Sequence, residues 1–501
     1  MAAPLSDSKK LTALLIVSIS LFAAIAIFFG GLLGFYGIVA LFLLFSIIFT
    51  YFVKKLTSFE THTVVTLLRT RKPLWIFDRF AHHSRLLDFL TEAGLVLGFG
   101  AIAVDYLHGR KAGGMKRAAL FAFTVLFLIA LLFGIDLLFN NAFSEGVLTK
   151  NFFFILSLVF GLMGFAGFTI AILAMQAVQI VSQYLVGERA CPGVAPLIPG
   201  IEIPSVPVVI PAHAWISLIL ILIIHEAMHG IVSRKEKIPV KSTGLLLFGF
   251  IPIGGFVEPD EKKLLAAEEK KQLRVYAAGP AANLAAFAGL NIFLVAVFLL
   301  IGATIAPWAN EIRDKSVAGV EIVGVQEKIE FCGKTYGSSS FGQLREGMKV
   351  NEINGKKVQR IDQITSEISS TRFQPITLTV DLNGLAEQIL LVPNELGSFG
   401  FIVQNIPASD FNPPQEFLLY SQFISLFADF FGWFILLNFL LALMNFLPIP
   451  TFDGGRIAPL LLHRYLGAFN LPEEKAKKTI VKFFLYTLVS LFILNALPLF
   501  I

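Results

Sequence analysis

His225, Glu226 and His229 stand in the order His-Glu-Ala-Met-His inside an apolar segment that runs from 213 to 233. Residues four apart share one face of a helix, so both imidazoles can reach one metal ion while Glu226 stands beside it as a general base. Three protein ligands with a fourth position left to water is the arrangement of catalytic zinc, which polarises a carbonyl and acidifies the water that attacks it. The plainer alternative is a buried His/Glu cluster paired with other helices. Ionisable groups within a span are expensive and by default functional, which favours the metal. A third ligand must come from another segment. Asp453, in Pro-Thr-Phe-Asp-Gly-Gly at 450–455, follows an apolar stretch broken by prolines, although Asp-Gly is also an ordinary turn pair. Gly-Pro-Ala-Ala-Asn at 279–283 sets an amide inside a further apolar stretch, where Asn283 could equally bond a neighbouring helix.

These residues need elements that cross a bilayer. Hydrophobic residues make up 56% of the 501, charged ones only 15%, and 51 are phenylalanine. Mean hydropathy is +0.75. Several stretches approach or exceed the roughly 20 apolar residues a span requires. The fold class is therefore a polytopic α-helical membrane protein. A secreted disulfide scaffold, a disordered chain and an ordinary cytosolic enzyme are excluded. The net charge of +5 is small and lies largely in loops, so it speaks for membrane topology and not for a nucleic-acid partner. Cys191 and Cys332 are too few and too far apart in sequence for a Cys-rich metal site or a disulfide framework. The first apolar stretch has no cleavage signature and reads as a retained anchor.

Residues 11–53 suit two helices joined by a turn among Gly30, Gly31, Gly34 and Gly37. Residues 54–92 are basic and amphipathic, and 118–139 and 152–187 read as spans. Residues 93–107 are apolar but short: a tilted span, a re-entrant piece or an interfacial helix. The proline-rich stretch 191–211 is an extramembrane connection. Residues 244–257 carry too many glycines for a spanning helix and suit a β-hairpin dipping into the membrane beside helices that shield it. Further spans are expected at 275–306, 416–447 and 479–500. Lys235, Lys237 and Lys241 place the end of the HExxH helix in the cytoplasm, which sends residues 191–211 and the 308–405 region outside and brings Asp453 and the basic Arg464–Lys482 region inside. Upstream, counting 93–107 as a fifth crossing puts 54–92 inside but leaves Arg110, Lys111, Lys116 and Arg117 outside, against the rule.

Taken together, the motifs resemble those of the site-2 protease family of intramembrane zinc metalloproteases. HEAMHG at 225–230 matches the family's zinc motif, GPAAN at 279–283 its central-helix motif, and NFLPIPTFDGG at 445–455 its Asn–Pro–Asp-Gly segment, in the family's order. The similarity covers about 213–306 and 416–500. It implies Zn²⁺ held by His225, His229 and Asp453, Glu226 as catalytic base, and Asn283 and Asn445 positioning the scissile backbone or polarising its carbonyl. Segment 244–257 corresponds to the family's membrane β element. Residues 308–405, with their soluble-like charge, alternating strands and the Asn354-Gly355 turn, look like a PDZ domain, chiefly through LREGMKVNEING at 344–355. Met348 stands where an acidic residue is usual, and 326–340 are expanded.

The expected organisation is an N-terminal transmembrane region of unknown role (1–190), a first catalytic part (191–306), the PDZ-like domain (308–405) and a second catalytic part (413–501). The expected activity is zinc-dependent endopeptidase cleavage of transmembrane protein substrates within the lipid bilayer, in regulated intramembrane proteolysis, with a peptide or protein ligand for the PDZ-like domain and a prokaryotic cell membrane as location. Two alternatives are a membrane zinc protease of another type, acting on soluble tails, and a zinc-stabilised non-catalytic scaffold. His213 and His463 flank spans, and His62, His82, His83 and His108 lie in the basic loop region. None of the six is expected to bind the catalytic metal.

Overall fold

The computed structural model describes residues 5–72, 74–109, 113–138, 150–196, 198–203, 206, 208–332, 334–371, 374–382, 384–467 and 470–500. Arg110, Lys111 and part of the proline-rich stretch lie outside them. The first apolar stretch is α1 (Leu5–Leu56), broken at Gly34, where φ is 62° and ψ −175°. A side chain resists that left-handed conformation and glycine does not. The chain reverses there: Asp7 Oδ2 accepts from the backbone N–H of Ser58 at 2.9 Å, and Phe22 packs edge-on against Phe42 at 5.9 Å. The expected two-helix hairpin is present, with its turn at Gly34.

There follow β1 (Glu60–His62), β2 (Val65–Thr70), α2 (Leu74–Phe80), α3 (Ser84–Leu107), α4 (Gly114–Leu138) and α5 (Lys150–Leu185). Then come α6 (Ala214–Lys235), β3 (Val240–Phe248), β4 (Ile251–Pro259), α7 (Glu261–Leu265), α8 (Glu269–Thr304) and α9 (Ala306–Ser316). Among the described residues, nine helical segments are long and apolar enough to cross a membrane. Two of them do not cross. Gly100 in α3 (φ 59°, ψ −144°) and Gly164 in α5 (φ 56°, ψ −152°) repeat the break that reverses α1.

Both ends of α3 meet the basic face of the molecule. Near its start, Asp88 pairs with Lys235, and Glu92 with Lys270 at 2.9 Å and Arg274 at 2.5 Å. At its end, Tyr106 donates to Glu269 at 2.9 Å, and Asp105 accepts from Tyr465 at 2.8 Å and from Arg117. Both arms of α5, on either side of Gly164, meet the opposite face. Phe153 packs on Phe133 near the far end of α4, and the Leu173 carbonyl accepts from Asn495 at 2.9 Å. The tips meet between the faces: a Cβ on Gly100 would lie 2.6 Å from Leu162 C and 2.7 Å from Gly161 O. Thus α3 and α5 are re-entrant hairpins from opposite faces: of the three readings of 93–107 the re-entrant piece holds, while its count as a fifth crossing and the expected span at 152–187 are corrected. The correction removes the conflict in the sequence. Because α3 returns to its starting face, the basic 54–92 segment and Lys116 and Arg117 lie on one side, the cytoplasmic side by the positive-inside rule.

The membrane hairpin expected at 244–257 is β3–β4, and it belongs to a larger sheet with strand order β1-β2-β3-β4. Its turn at Gly249 is held by Phe250, which packs against Phe22, Phe42 and Phe49 of α1. The region of unknown role therefore supplies half of this sheet and anchors its tip.

Beyond α9 the chain forms β5 (Val317–Val325), β6 (Lys328–Phe331), β7 (Lys334–Gly337), β8 (Lys349–Ile353), β9 (Lys356–Lys357), α10 (Ile361–Thr371), β10 (Ile376–Leu382), β11 (Leu385–Leu391) and β12 (Phe401–Pro407). The main sheet runs β11-β10-β8-β5-β12 with β9 beside β8. It encloses a separate core that includes Val320, Ile322, Ile353, Ile364, Leu378 and Met348, the last filling apolar space. The expanded 326–340 segment is the β6–β7 hairpin, and Cys332 at its turn is disulfide-bonded to Cys191, with 4.9 Å between Cα atoms. This corrects the reading of the two cysteines as too far apart in sequence for a disulfide framework. Their separation of 141 residues is misleading because α6 and α8 carry the chain in and back, bringing the loop before α6 to the insert after α9. Disulfides persist in oxidising compartments, so this face is extracytoplasmic, in agreement with the basic residues opposite. The chain ends with α11 (Gln415–Phe446), α12 (Asp453–Gly467) and α13 (Glu473–Ala496).

Two outcomes are expected in intact cells. In a Cys-free background, a membrane-impermeant thiol reagent should label Glu327→Cys and spare Trp75→Cys and Met115→Cys. Labelling at 115 would restore α3 as a crossing. In the native chain, denaturing alkylation should add two mass tags only after reduction, and two tags without reduction would remove the Cys191–Cys332 link.

Candidate metal centre

Three elements converge on one point between the faces. α6 brings His225 and His229 to one side, their Nε2 atoms 3.2 Å apart. Asp453 opens α12, and its Oδ2 lies 3.2 Å from His225 Nε2 and 3.3 Å from His229 Nε2. Delivering that carboxylate requires a tight reversal after α11. Pro448 and Pro450 cannot continue the helix, and Gly454 and Gly455 pass so close to the Phe446 and Ile449 carbonyls that a Cβ at either would collide with them.

The donor set fits a zinc ion. A tetrahedron with bonds of about 2.0–2.1 Å has edges of about 3.3 Å, the spacing of these three atoms. Asp453 Oδ2 has no hydrogen-bond partner, although it is buried. Opposite the imidazoles, α8 presents Gly279, where a Cβ would run into both Nε2 atoms. The missing side chain leaves the room that a metal needs. His229 is also oriented from behind: its Nδ1 lies 2.7 Å from the Val275 carbonyl, so Nδ1–H donates there and the Nε2 lone pair faces the centre.

Glu226 is directed elsewhere. Its Oε2 accepts the backbone N–H of Val257 at 2.9 Å, which ties it to β4, the edge strand of the membrane sheet. Since that N–H points away from β3, strand alternation puts the N–H and C=O of Gly255 on the same open side. A Cβ at Gly255 would come within 3.2 Å of Glu226 Cγ, so glycine lets the strand lie against the carboxylate's stem.

Asn283 is fully buried, with its amide nitrogen 3.2 Å from His225 Nδ1. Asn445 turns its amide back to the Leu441 carbonyl of its own helix at 3.0 Å. His213 pairs with Asp429 at 3.1 Å, and His463 bonds the Pro459 carbonyl at 2.9 Å, each apart from the centre. A second group that could hold a metal, Glu269, His463 and Glu473, is already occupied by cations: Arg464 contacts Glu269 at 2.7 Å and Lys477 contacts Glu473 at 2.6 Å. It is an ion-pair network joining α8, α12 and α13.

Sequence reasoning did not find what α3 does here. A Cβ on Gly94 would strike Ala281 of the Gly-Pro-Ala-Ala-Asn segment of α8, and one on Gly98 would strike the Phe446 ring before the Asp453 loop. Gly94 and Gly98 are four apart, a small-xxx-small spacing that marks close helix packing. That signal was present in the sequence.

Two imidazoles and a carboxylate that could hold a metal between helices, an adjacent glutamate and an open strand edge are the parts that a membrane-embedded metallohydrolase needs. Residues 213–492, more than half of the chain, match the model of peptidase family M50. The protein belongs to this family, the site-2 protease family, whose members are membrane metalloproteases and typically depend on zinc. An uncharacterized protein of Methanocaldococcus jannaschii is 29% identical over 285 residues, covering 56% of this chain and 63% of that protein. A protein of Enterococcus faecalis named "probable protease eep" is 22% identical over 188 residues, covering 29% of this chain and 44% of that protein. The chain thus spans less than two thirds of either relative.

Gly279→Ala should strip most zinc from purified protein, as read by elemental analysis, with the disulfide and helical content retained. Asp453→Ala should also lower occupancy. Stoichiometric zinc in Gly279→Ala would show that α8 does not limit the space at the centre.

Proposed function

We propose that the protein is an intramembrane zinc-dependent endopeptidase that cleaves transmembrane segments of membrane proteins in regulated intramembrane proteolysis, with His225, His229 and Asp453 as metal ligands and Glu226 as catalytic base. The observation that carries this reading is the convergence of three ligand atoms beside a glutamate bonded to an open strand edge. The name of the Enterococcus relative points the same way. Zinc held at the three donors would supply the Lewis acidity that polarises a peptide carbonyl and acidifies water.

The rest of the chemistry belongs to the chain. A transmembrane helix hides its carbonyls in its own hydrogen bonds, and unpaired backbone groups in lipid cost several kcal/mol each, about 2–7 by transfer measurements. An unwound segment pairs instead with β4, through the backbone groups of Gly255 and Val257. By taking the Val257 N–H, it releases Glu226 Oε2 to accept the proton of the attacking water and pass it to the leaving amine. Asn445, on the helix that ends before the Asp453 loop, remains the candidate for contact with the substrate backbone. The insert at 308–405 acts as the PDZ-like domain, receiving a peptide or protein ligand on the extracytoplasmic side of a prokaryotic cell membrane.

A non-catalytic scaffold has no need of Glu226. Glu226→Gln should keep full zinc content and lose at least about 100-fold in cleavage of a model transmembrane peptide, within the range for removal of a general base. Near-normal turnover in that variant would sink the assignment.

A further inference from the structure

We propose that Asn283 is a positioning residue for the metal centre: its side-chain oxygen accepts the Nδ1 proton of His225 and so fixes the tautomer that turns Nε2 toward the metal. This rests on His225 being a ligand, and it replaces the substrate-facing role expected from the motif.

The two imidazoles of α6 meet α8 in antiparallel register. His229 Nδ1 lies 2.7 Å from the Val275 carbonyl, and His225 Nδ1 lies 3.2 Å from the Asn283 amide. Gly279, midway between those partners, faces both Nε2 atoms. Residues 275, 279 and 283 are each four apart, so α8 shows one face on which an acceptor, a gap and a second acceptor oppose the two histidines. At one end the acceptor is a backbone oxygen. At the other, only a side chain can supply it.

The oxygen and nitrogen of an amide are told apart by their partners. If the Asn283 nitrogen donates to Nδ1, the His225 proton moves to Nε2, where it points at His229 Nε2 and Asp453 Oδ2 and closes the centre. In that orientation Asn283 Oδ1 is also buried with no partner. Turning the amide by half a revolution brings Oδ1 to Nδ1–H and leaves Nε2 as a lone pair. Asn283 is fully buried against His225, so it acts through the imidazole. A histidine ligand held in this way binds metal more tightly, and loss of such a partner typically weakens binding about 10–100-fold.

The test uses the full-length protein in detergent, with zinc affinity measured by competition with a chromophoric chelator and cobalt(II) absorption as a second readout. Asn283→Leu removes the acceptor at similar volume, and Asn283→Ala replaces it if the leucine variant does not fold. Either should weaken zinc binding about 10–100-fold and alter the cobalt spectrum. Asn283→Asp keeps an oxygen acceptor and should bind zinc within about threefold of the parent, as expected where a carboxylate serves as the outer partner. Unchanged zinc affinity in the leucine and alanine variants, with cleavage lost in all three, would place Asn283 on the substrate and overturn the proposal. Equal weakening in the aspartate variant would reduce it to packing and overturn the proposal as well. His225→Ala separates the two levels: if it loses zinc and Asn283→Leu does not, only the positioning role fails, whereas full zinc in His225→Ala removes the ligand reading beneath it.

Discussion

The distance at which α6 and α8 can pass each other governs the centre. Two imidazoles and a carboxylate meet within 3.3 Å of one another, and the facing helix must leave them room. Gly279 supplies the room, and its neighbours on the same face hold the rings. The same demand for close approach recurs outward from that point. Gly94 and Gly98 let α3 lie against Ala281 of α8 and against Phe446, and Gly454 and Gly455 let the chain double back to present Asp453. Small residues do in the bilayer what apolar burial does in water, because lipid offers no hydrophobic reward for bringing helices together.

A second constraint is the fate of backbone hydrogen bonds in a region without water. A four-stranded sheet at membrane level satisfies its inner strands, and its tip is wrapped by phenylalanines of α1. β4 stays open on the side of Glu226, where the N–H of Val257 is held by the carboxylate. An unpaired edge is a liability in most sheets. Here the open edge lies beside the only glutamate of the metal motif.

Much of the site was legible because its chemistry is written in short spacings. His225 and His229 four apart, the Gly-Pro-Ala-Ala-Asn segment and the Asp453 loop are local patterns, and the structure brings all three together. The β-hairpin was legible from its glycines. The failures share one cause, which is that a hydropathy pattern records length and not direction. Residues 84–107 and 150–185 are apolar enough to cross, yet one glycine in each reverses the chain. The contradictory basic residues, those of 54–92 before α3 and Lys116 and Arg117 after it, were the trace of that reversal. Likewise, the separation of Cys191 and Cys332 along the chain concealed their proximity, since two helices of opposite direction cancel the distance. The pairing of β2 with β3 had no local signal at all, because it joins segments on either side of five helices.

The Cys191–Cys332 bond has a mechanical consequence. The insert is connected to the membrane part at its ends, through α9 and α11, and both routes run along helices that border the metal centre. The disulfide adds a third, from the β6–β7 hairpin to the connector before α6, where Gly193 N–H is bonded to the Asn495 carbonyl at 2.9 Å. Force applied to the insert is therefore shared with the outer end of α13. Because the same connector runs on into α6, the bond also ties the β6–β7 hairpin to the helix that carries His225 and His229, and a tug on the insert reaches that helix without passing through α8.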